Sequence, residues 1–162
     1  MKKYSALIIL VNLVLFLGFF NYAIVQKEDI IEDGQLILLE LAPVDPRSLM
    51  QGDYMRLNYA ISDEVIIDQI PKRGYCVVTL DSEGVAQHNR YQKNNAPKNE
   101  NEYLIEYNIG EWSAVKIGAA SFFFQEGEGE KYADAKYGGI KVDENGNSVL
   151  VGLYDSNRKK IE

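Results

Sequence analysis

The chain has 162 residues and a formal net charge of −7, with 46% hydrophobic and 25% charged residues. This length leaves room for one domain of roughly 100–150 residues besides an anchor, and the composition excludes an intrinsically disordered chain. Apart from Lys2 and Lys3, the chain carries 15 basic and 24 acidic side chains, which argues against nucleic acid as a partner and against docking on anionic lipid.

The first predicted element is a membrane-spanning helix near the N-terminus. Residues 5–25 contain no charged side chain, and 21 residues at about 1.5 Å each span roughly the 30 Å of a bilayer core. A cleaved signal peptide is the alternative. However, the apolar run is too long for a signal core, and Asn21 stands where cleavage after Ala23 requires a small residue. We therefore predict an uncleaved anchor within residues 1–26, followed by a juxtamembrane spacer at residues 27–33.

The charges at the two ends of the apolar segment predict its orientation. Lys2 and Lys3 precede it, whereas Lys27 is followed at once by Glu28 and Asp29. The positive-inside rule then leaves the N-terminus in the cytoplasm and places residues 34–162 in an extracytoplasmic domain, periplasmic in a Gram-negative cell. Within the span, the Asn12 amide would allow a hydrogen bond to a partner helix in the membrane.

Residues 34–162 are predicted to form short strands separated by turns. The strands share apolar or alternating side chains bounded by Gly, Pro, Asn or Asp, and they cover residues 35–42, 54–61, 74–80, 85–91, 102–109 and 112–117. Short helical segments are predicted at residues 63–70 and 131–137, and a solvated loop at residues 92–101. The pattern predicts a mainly β fold: one antiparallel β-barrel or rolled-sheet domain with one or two short helices.

The C-terminal part is predicted to form a β-hairpin. Two apolar, strand-like stretches flank the sequence Glu144-Asn145-Gly146-Asn147. Because Asn-Gly is preferred in the two-residue loops of hairpins, we predict a type I′ turn at this position.

The segment after the first strand carries a recognisable motif. Every fixed position of the pattern Gly-Asp-Tyr-x-x-Leu-x-Tyr is present in Gly52-Asp53-Tyr54-Met55-Arg56-Leu57-Asn58-Tyr59. The chain thereby resembles the GDYXXLXY family of membrane-anchored proteins, and the resemblance extends to residues 44–47, 123–129, 141–143 and 149–153. Gln125 stands where family members often have Pro. The resemblance implies one N-terminal anchor but no mechanism, because the family has no established biochemical activity.

Two interpretations of the motif remain open. In the structural one, Gly52 permits a turn, Asp53 caps it, and the aromatic and leucine positions form a strand. Strict alternation then places Met55, Leu57, Tyr59 and Ile61 on one face. In the functional one, the opposite face is a recognition surface for a partner or small ligand, made of Asp53, Tyr54, Arg56 and Asn58.

Catalytic chemistry has one weak candidate. Ser48-Leu49-Met50-Gln51-Gly52-Asp53 resembles a Thr-Leu-x-x-Gly-Asp stretch of type I signal peptidases, but Val44 occupies the position of the nucleophile. A hydrolase would have to use Ser48 itself, with Lys72 or Lys116 as the base.

Other reactive residue types have structural interpretations. Cys76, the single cysteine, is predicted to be a buried strand residue rather than a reactive thiol, and His88 an exposed strand residue rather than part of a triad. Calcium ligation by Glu126, Glu128 and Glu130 is disfavoured by the flexible glycines between them. We predict no catalytic residue, no cofactor and no metal.

These observations favour a non-enzymatic envelope protein that binds a membrane protein. Residues 122–130 combine aromatic and acidic side chains and could form the interface, since aromatic residues are enriched in interface cores. The alternatives are the Ser48 hydrolase or peptidase and an envelope sensor of a small ligand or ion.

Overall fold

The computed structural model describes residues 5–42, 54–63, 65, 67–110 and 115–162. The described part is mainly β, with one long N-terminal helix. Helices α1 and α2 span Ser5–Asp33 and Ala60–Asp63, and single 3-10 turns cover Ile67–Gln69 and Gly129–Tyr132. Strands β1 to β9 span Gln35–Glu40, Tyr54–Arg56, Arg73–Leu80, Ala86–Gln92, Glu102–Ile109, Val115–Ile117, Ser121–Phe123, Tyr137–Val142 and Ser148–Tyr154.

Helix α1 continues through the predicted spacer. Residues 27–33 are helical, because charge alone does not stop a helix and the first helix-breaking residue is Gly34. The N–H of Gly34 donates to the carbonyl of Ile30 at 3.0 Å, and Ile30 is buried against the β domain. The stretch Leu7–Asp33 is long and apolar enough to cross a membrane, and its most apolar part is not buried by the rest of the protein.

The described strands form three antiparallel sheets. Their orders are β1-β8-β9, β4-β3-β5-β6 and β2-β7. The sheets share one core, whose fully buried side chains include Ile37, Leu39, Cys76, Ile105 and Leu153. The predicted mainly β, antiparallel fold is confirmed, but among the described residues no sheet closes into a barrel.

Three predicted segments differ from the structure. The alternation of residues 54–61 ends at Tyr59, since the N–H of Ser62 donates to the carbonyl of Tyr59 at 2.8 Å and begins a helical turn. The predicted helix at residues 63–70 is therefore replaced by α2 and a separate 3-10 turn. The segment at residues 131–137 contains only the end of a 3-10 turn, and β8 already begins at Tyr137.

The C-terminal hairpin is confirmed, but its predicted turn type is wrong. A type I′ turn requires positive φ at both Asn145 and Gly146, whereas only Gly146, at +92°, is positive in this loop. The Asp143 carboxylate instead accepts the N–H groups of Asn145 and Asn147 at 2.9 and 2.8 Å. A side-chain acceptor thus stabilises a three-residue loop that ends in a left-handed glycine.

An ion pair between the buried Glu102 carboxylate and the partly exposed Arg90 guanidinium ties together the strands on either side of β3. Glu102 is 6% exposed, and both of its oxygens accept from the Arg90 guanidinium at 2.5 and 2.8 Å. The N–H of Asn99 donates to the same carboxylate at 3.0 Å. These hydrogen bonds, Arg90 first, lower the pKa of Glu102 to about 2. The pair thus anchors both ends of the exposed loop that precedes β5.

We expect this ion pair to make stability depend on pH. A carboxylate whose pKa falls from 4.5 to about 2 on folding stabilises the fold above its unfolded pKa and loses that contribution as the pH falls towards its folded pKa. Glu102→Gln should therefore melt at a lower temperature than the unmutated protein at neutral pH. The difference should shrink between about pH 5 and pH 2.

Melting of the full chain in detergent, followed by circular dichroism, measures this difference. Glu100→Gln is the matched control, because Glu100 is an exposed residue two positions before Glu102 and has no ion pair with a described residue. A Glu102→Gln difference that persists unchanged down to pH 2 would contradict the assignment.

Candidate functional site

The side chains of residues 54–59, which begin with β2 and which we call the motif strand, lie on two faces. Leu57 and Tyr59 are 5% and 3% exposed, whereas Arg56 and Asn58 are exposed and Tyr54 is half-buried. The predicted alternation is thus confirmed for residues 54–59 but not for Ala60 and Ile61. Gly52 and Asp53 lie outside the described residues, so the predicted turn and its cap lie outside them as well.

The inward face of the motif joins different parts of the fold. The N–H of Leu57 donates to the carbonyl of Ala120 at 3.0 Å, and the Tyr59 hydroxyl donates to the carbonyl of Ala119 at 3.0 Å. A side chain at Gly138 would come within 2.9 Å of the Tyr59 ring, so β8 packs directly on it. Burial raises the pKa of Tyr59 well above its usual range. These contacts give Leu57 and Tyr59 a structural role.

The outward face carries an exposed aromatic pair. Tyr54 and Phe123 are paired across β2 and β7, and their ring centroids are 5.7 Å apart. Phe123 is 75% exposed. Arg56 lies two residues along the same strand and is also exposed. We call Tyr54, Arg56 and Phe123 the motif patch. Tyrosine and arginine are enriched among the residues that dominate binding energy at protein interfaces.

The predicted interface at residues 122–130 is divided by the structure. Phe122 and Phe124 turn inward and pack on the buried ring of Tyr132, with centroid distances of 5.0 and 5.5 Å. Only Phe123 of the three phenylalanines is directed outward. Side chains alternate between the two faces of a strand such as β7. Because positions 122–124 are all phenylalanine, the sequence did not show which of them would be exposed.

The acidic part of that segment is mostly solvated. Glu126 and Glu130 are exposed, and Glu128 forms an ion pair with Lys131 at 3.5 Å. Among the described residues, no group of His, Cys, Asp or Glu side chains is arranged to hold a metal ion.

A cavity of about 570 Å³ opens beside the motif strand. Its polar lining includes Arg56, Asn58, Ser62, Asp63 and Lys116, and its apolar lining includes Val115. The Ser62 hydroxyl is inaccessible to solvent and has no hydrogen-bond partner among the described atoms. The lining therefore offers hydrogen-bond donors, two cations and one carboxylate, which suit a small polar group.

The lone cysteine and histidine take the predicted positions. Cys76 is fully buried in β3, and burial raises the pKa of its thiol to about 12, which keeps it protonated and unreactive. The interpretation of Cys76 as a buried strand residue is confirmed. His88 lies on β4 and is exposed, with its ring 4.6 Å from that of Tyr91.

The candidate hydrolase residues are not assembled in the described part. Ser48 and Val44 lie outside the described residues. Lys72 and Lys116 are both exposed, whereas a lysine that serves as a general base is normally activated by burial.

We expect side-chain truncation to alanine to change the free energy of unfolding differently on the two faces of the motif. Leu57→Ala should destabilise the fold by about 2–5 kcal/mol, because it removes a buried side chain and leaves a cavity. Arg56→Ala should change stability by no more than about 0.5 kcal/mol, because its side chain is exposed. Urea unfolding of the full chain in detergent measures both values, and equal destabilisation by the two variants would make the outward face structural as well.

Comparison with known proteins agrees with the motif. The family model described as GDYXXLXY protein matches residues 16–153, which extend from within α1 to β9. No curated protein and no solved structure matches the chain. The family match covers most of the chain and includes the motif strand, so the protein belongs to the GDYXXLXY protein family.

Proposed function

We propose that the protein is a non-enzymatic accessory subunit that is anchored in a membrane and binds an integral membrane protein. The observation that carries this proposal is the motif patch. Outside α1, the exposed large apolar side chains of the described part are Leu36 and Phe123, and Phe123 is 75% exposed. A phenylalanine so exposed, against a tyrosine and beside an arginine, fits the centre of a protein interface.

The anchor supports a partner within or close to the membrane. The apolar part of α1 has no cover from the β domain, and no charged residue interrupts residues 5–25. Its flanking charges favour a cytoplasmic N-terminus and an extracytoplasmic domain, which is periplasmic in a Gram-negative cell. A tethered domain meets a membrane partner at a high effective concentration, so a patch of modest area is sufficient.

An unpaired amide in the helix supports the same proposal. The Asn21 amide donates to the carbonyl of Leu17 at 2.8 Å and is satisfied within α1. Asn12 lies near the middle of the apolar stretch, and its side chain makes no hydrogen bond with any described residue. In a bilayer, such an amide is stabilised by a polar group on a neighbouring helix.

Site-specific photocrosslinking tests the motif patch. We expect benzoylphenylalanine in place of Phe123 to form an adduct with one integral membrane protein in intact cells. The same photoreactive residue in place of Glu144, an exposed residue in the β8–β9 turn, should not form it. Arg56→Glu should abolish the adduct, because it reverses a charge within the patch. Identical adducts from both positions, or none from Phe123, would contradict the proposal.

The helix contact has its own test. Asn12→Leu should weaken retention of the crosslinked partner in detergent by roughly 3- to 30-fold, which corresponds to the 0.6–2 kcal/mol of an interhelical hydrogen bond. Asn21→Leu is the matched control and should leave retention unchanged, because the Asn21 amide is already satisfied. Quantitative co-purification at graded detergent concentrations measures the difference. Equal effects of the two variants would show that Asn12 has no special contact.

A further inference from the structure

A basic cleft of about 510 Å³ lies between the polar end of α1 and the four-stranded sheet. Four cations line it and come from separate parts of the chain. Lys27 lies on α1, Arg73 begins β3, Lys93 follows β4, and Lys116 lies on β6. Glu106 is the single carboxylate among the described lining residues. This concentration of positive charge contrasts with the acidic total of the chain.

None of the four cations makes an ion pair with a described residue. Ion pairs in the described part involve other basic residues, namely Arg90, Lys131, Lys136 and Arg158. Lys27, Arg73, Lys93 and Lys116 are exposed and make no ion pair with a described residue. Exposed like charges gathered in one cleft repel one another weakly, and an anion that binds among them relieves that repulsion. The cleft therefore has the electrostatic character of an anion site.

The backbone brings these cations together. Gly74 lies against the backbone of Gln92, and any larger residue would clash with its carbonyl, so β3 passes close to the residue before Lys93. The N–H of Glu106 donates to the carbonyl of Gly146 at 2.9 Å, which holds the β8–β9 turn beside β5. That turn contributes Asn147 to the wall of the cleft. Lys27 completes the cleft from the helix side.

The position of Lys27 indicates where the anion comes from. Lys27 follows the uncharged stretch of α1 by two residues, so in the proposed anchored state it lies at the level of the lipid headgroups. Lysine and arginine near that level attract anionic lipid by about 1 kcal/mol each. A cleft with neutral donors such as Asn108 and Ser148 in its wall also suits the oxygen atoms of a phosphate group.

We propose that this cleft binds the phosphate group of an anionic phospholipid headgroup in the leaflet that faces the β domain. The phosphate-binding chemistry rests on the four cations alone. The assignment of a lipid as its source rests on the anchor proposed above. A free phosphate compound would use the same chemistry, and the experiment below separates the two sources.

The experiment measures lipid retention by the purified full-length protein. Phosphatidylglycerol or zwitterionic phosphatidylcholine is added in detergent, and bound lipid is counted by native mass spectrometry. The cleft variant carries Arg73→Gln, Lys93→Gln and Lys116→Gln. The control variant carries Lys131→Gln, Lys136→Gln and Arg158→Gln, which removes the same charge from ion-paired residues outside the cleft. All three cations of the cleft variant are exposed, so we expect it to fold, and circular dichroism checks this.

We expect the unmutated protein to retain phosphatidylglycerol in preference to phosphatidylcholine. The cleft variant should lose affinity for phosphatidylglycerol by about fivefold per cation, or about 100-fold for three. The control variant should bind like the unmutated protein. Equal retention of both lipids by the unmutated protein, or equal losses in the two variants, would overturn the proposal.

Inorganic phosphate distinguishes the source of the anion. If millimolar phosphate raises the melting temperature of the unmutated protein but not of the cleft variant, and displaces the lipid, the site holds a free phosphate anion. If phosphate has no effect while phosphatidylglycerol is retained, the ligand is the lipid headgroup. Neither result depends on the crosslink from position 123, so the failure of this inference and the failure of the proposed function are separable.

Discussion

The structure depends on a direct junction between the long helix and the central sheet. Helix α1 ends at Asp33 and β1 begins at Gln35, so Gly34 alone connects them. Burial of Ile30 contributes about 1.5–3 kcal/mol to this junction, and the Lys141 ammonium donates to the carbonyl of Glu32 at 2.9 Å. Since β1 contributes two fully buried core residues, Ile37 and Leu39, the direction of the helix is fixed relative to the core.

The buried half of the motif determines where its exposed half lies. Tyr59 binds the carbonyl of Ala119, and Leu57 binds that of Ala120. These two alanines lead directly into β7, so both hydrogen bonds set the register in which Phe123 faces Tyr54. The structural and functional interpretations of the motif are therefore compatible, because the inward side chains position the outward ones. A family pattern with aromatic positions on both faces of one strand follows naturally from this division.

Local features of the fold could be predicted from the sequence, whereas long-range ones could not. Periodicity located β3, β5 and the C-terminal hairpin within one or two residues of their observed bounds, since alternation and turn residues are local properties. The pairing of β1 with β8 joins segments about 100 residues apart, and no local pattern encodes it. For this reason a closed barrel and three sheets around one core could not be distinguished.

The basic cleft could not be predicted from the sequence. Net charge is a sum over the chain, so it could not show that Arg73, Lys93 and Lys116 meet in one cleft while most acidic side chains lie elsewhere. Residues 27–33 were assigned to a spacer because they are charged, yet without Gly or Pro they extend the helix. That extension carries Lys27 to the cleft, so the helical conformation of residues 27–33 is one reason why the cleft forms.

In the proposed anchored state, the charge distribution of the β domain and the junction between α1 and β1 favour the same orientation of the domain relative to the bilayer. An acidic domain is repelled by an anionic bilayer surface within a Debye length of about 8–10 Å. The basic cleft is a part of the described surface that such a bilayer would attract, and its lining includes Lys27, which follows the apolar stretch of the helix. When the cleft is directed towards the headgroups, the attraction of the cleft and the repulsion of the remaining acidic surface favour the same orientation. Because Gly34 alone joins α1 to β1, this orientation would also determine the direction in which the motif patch meets the membrane partner proposed above.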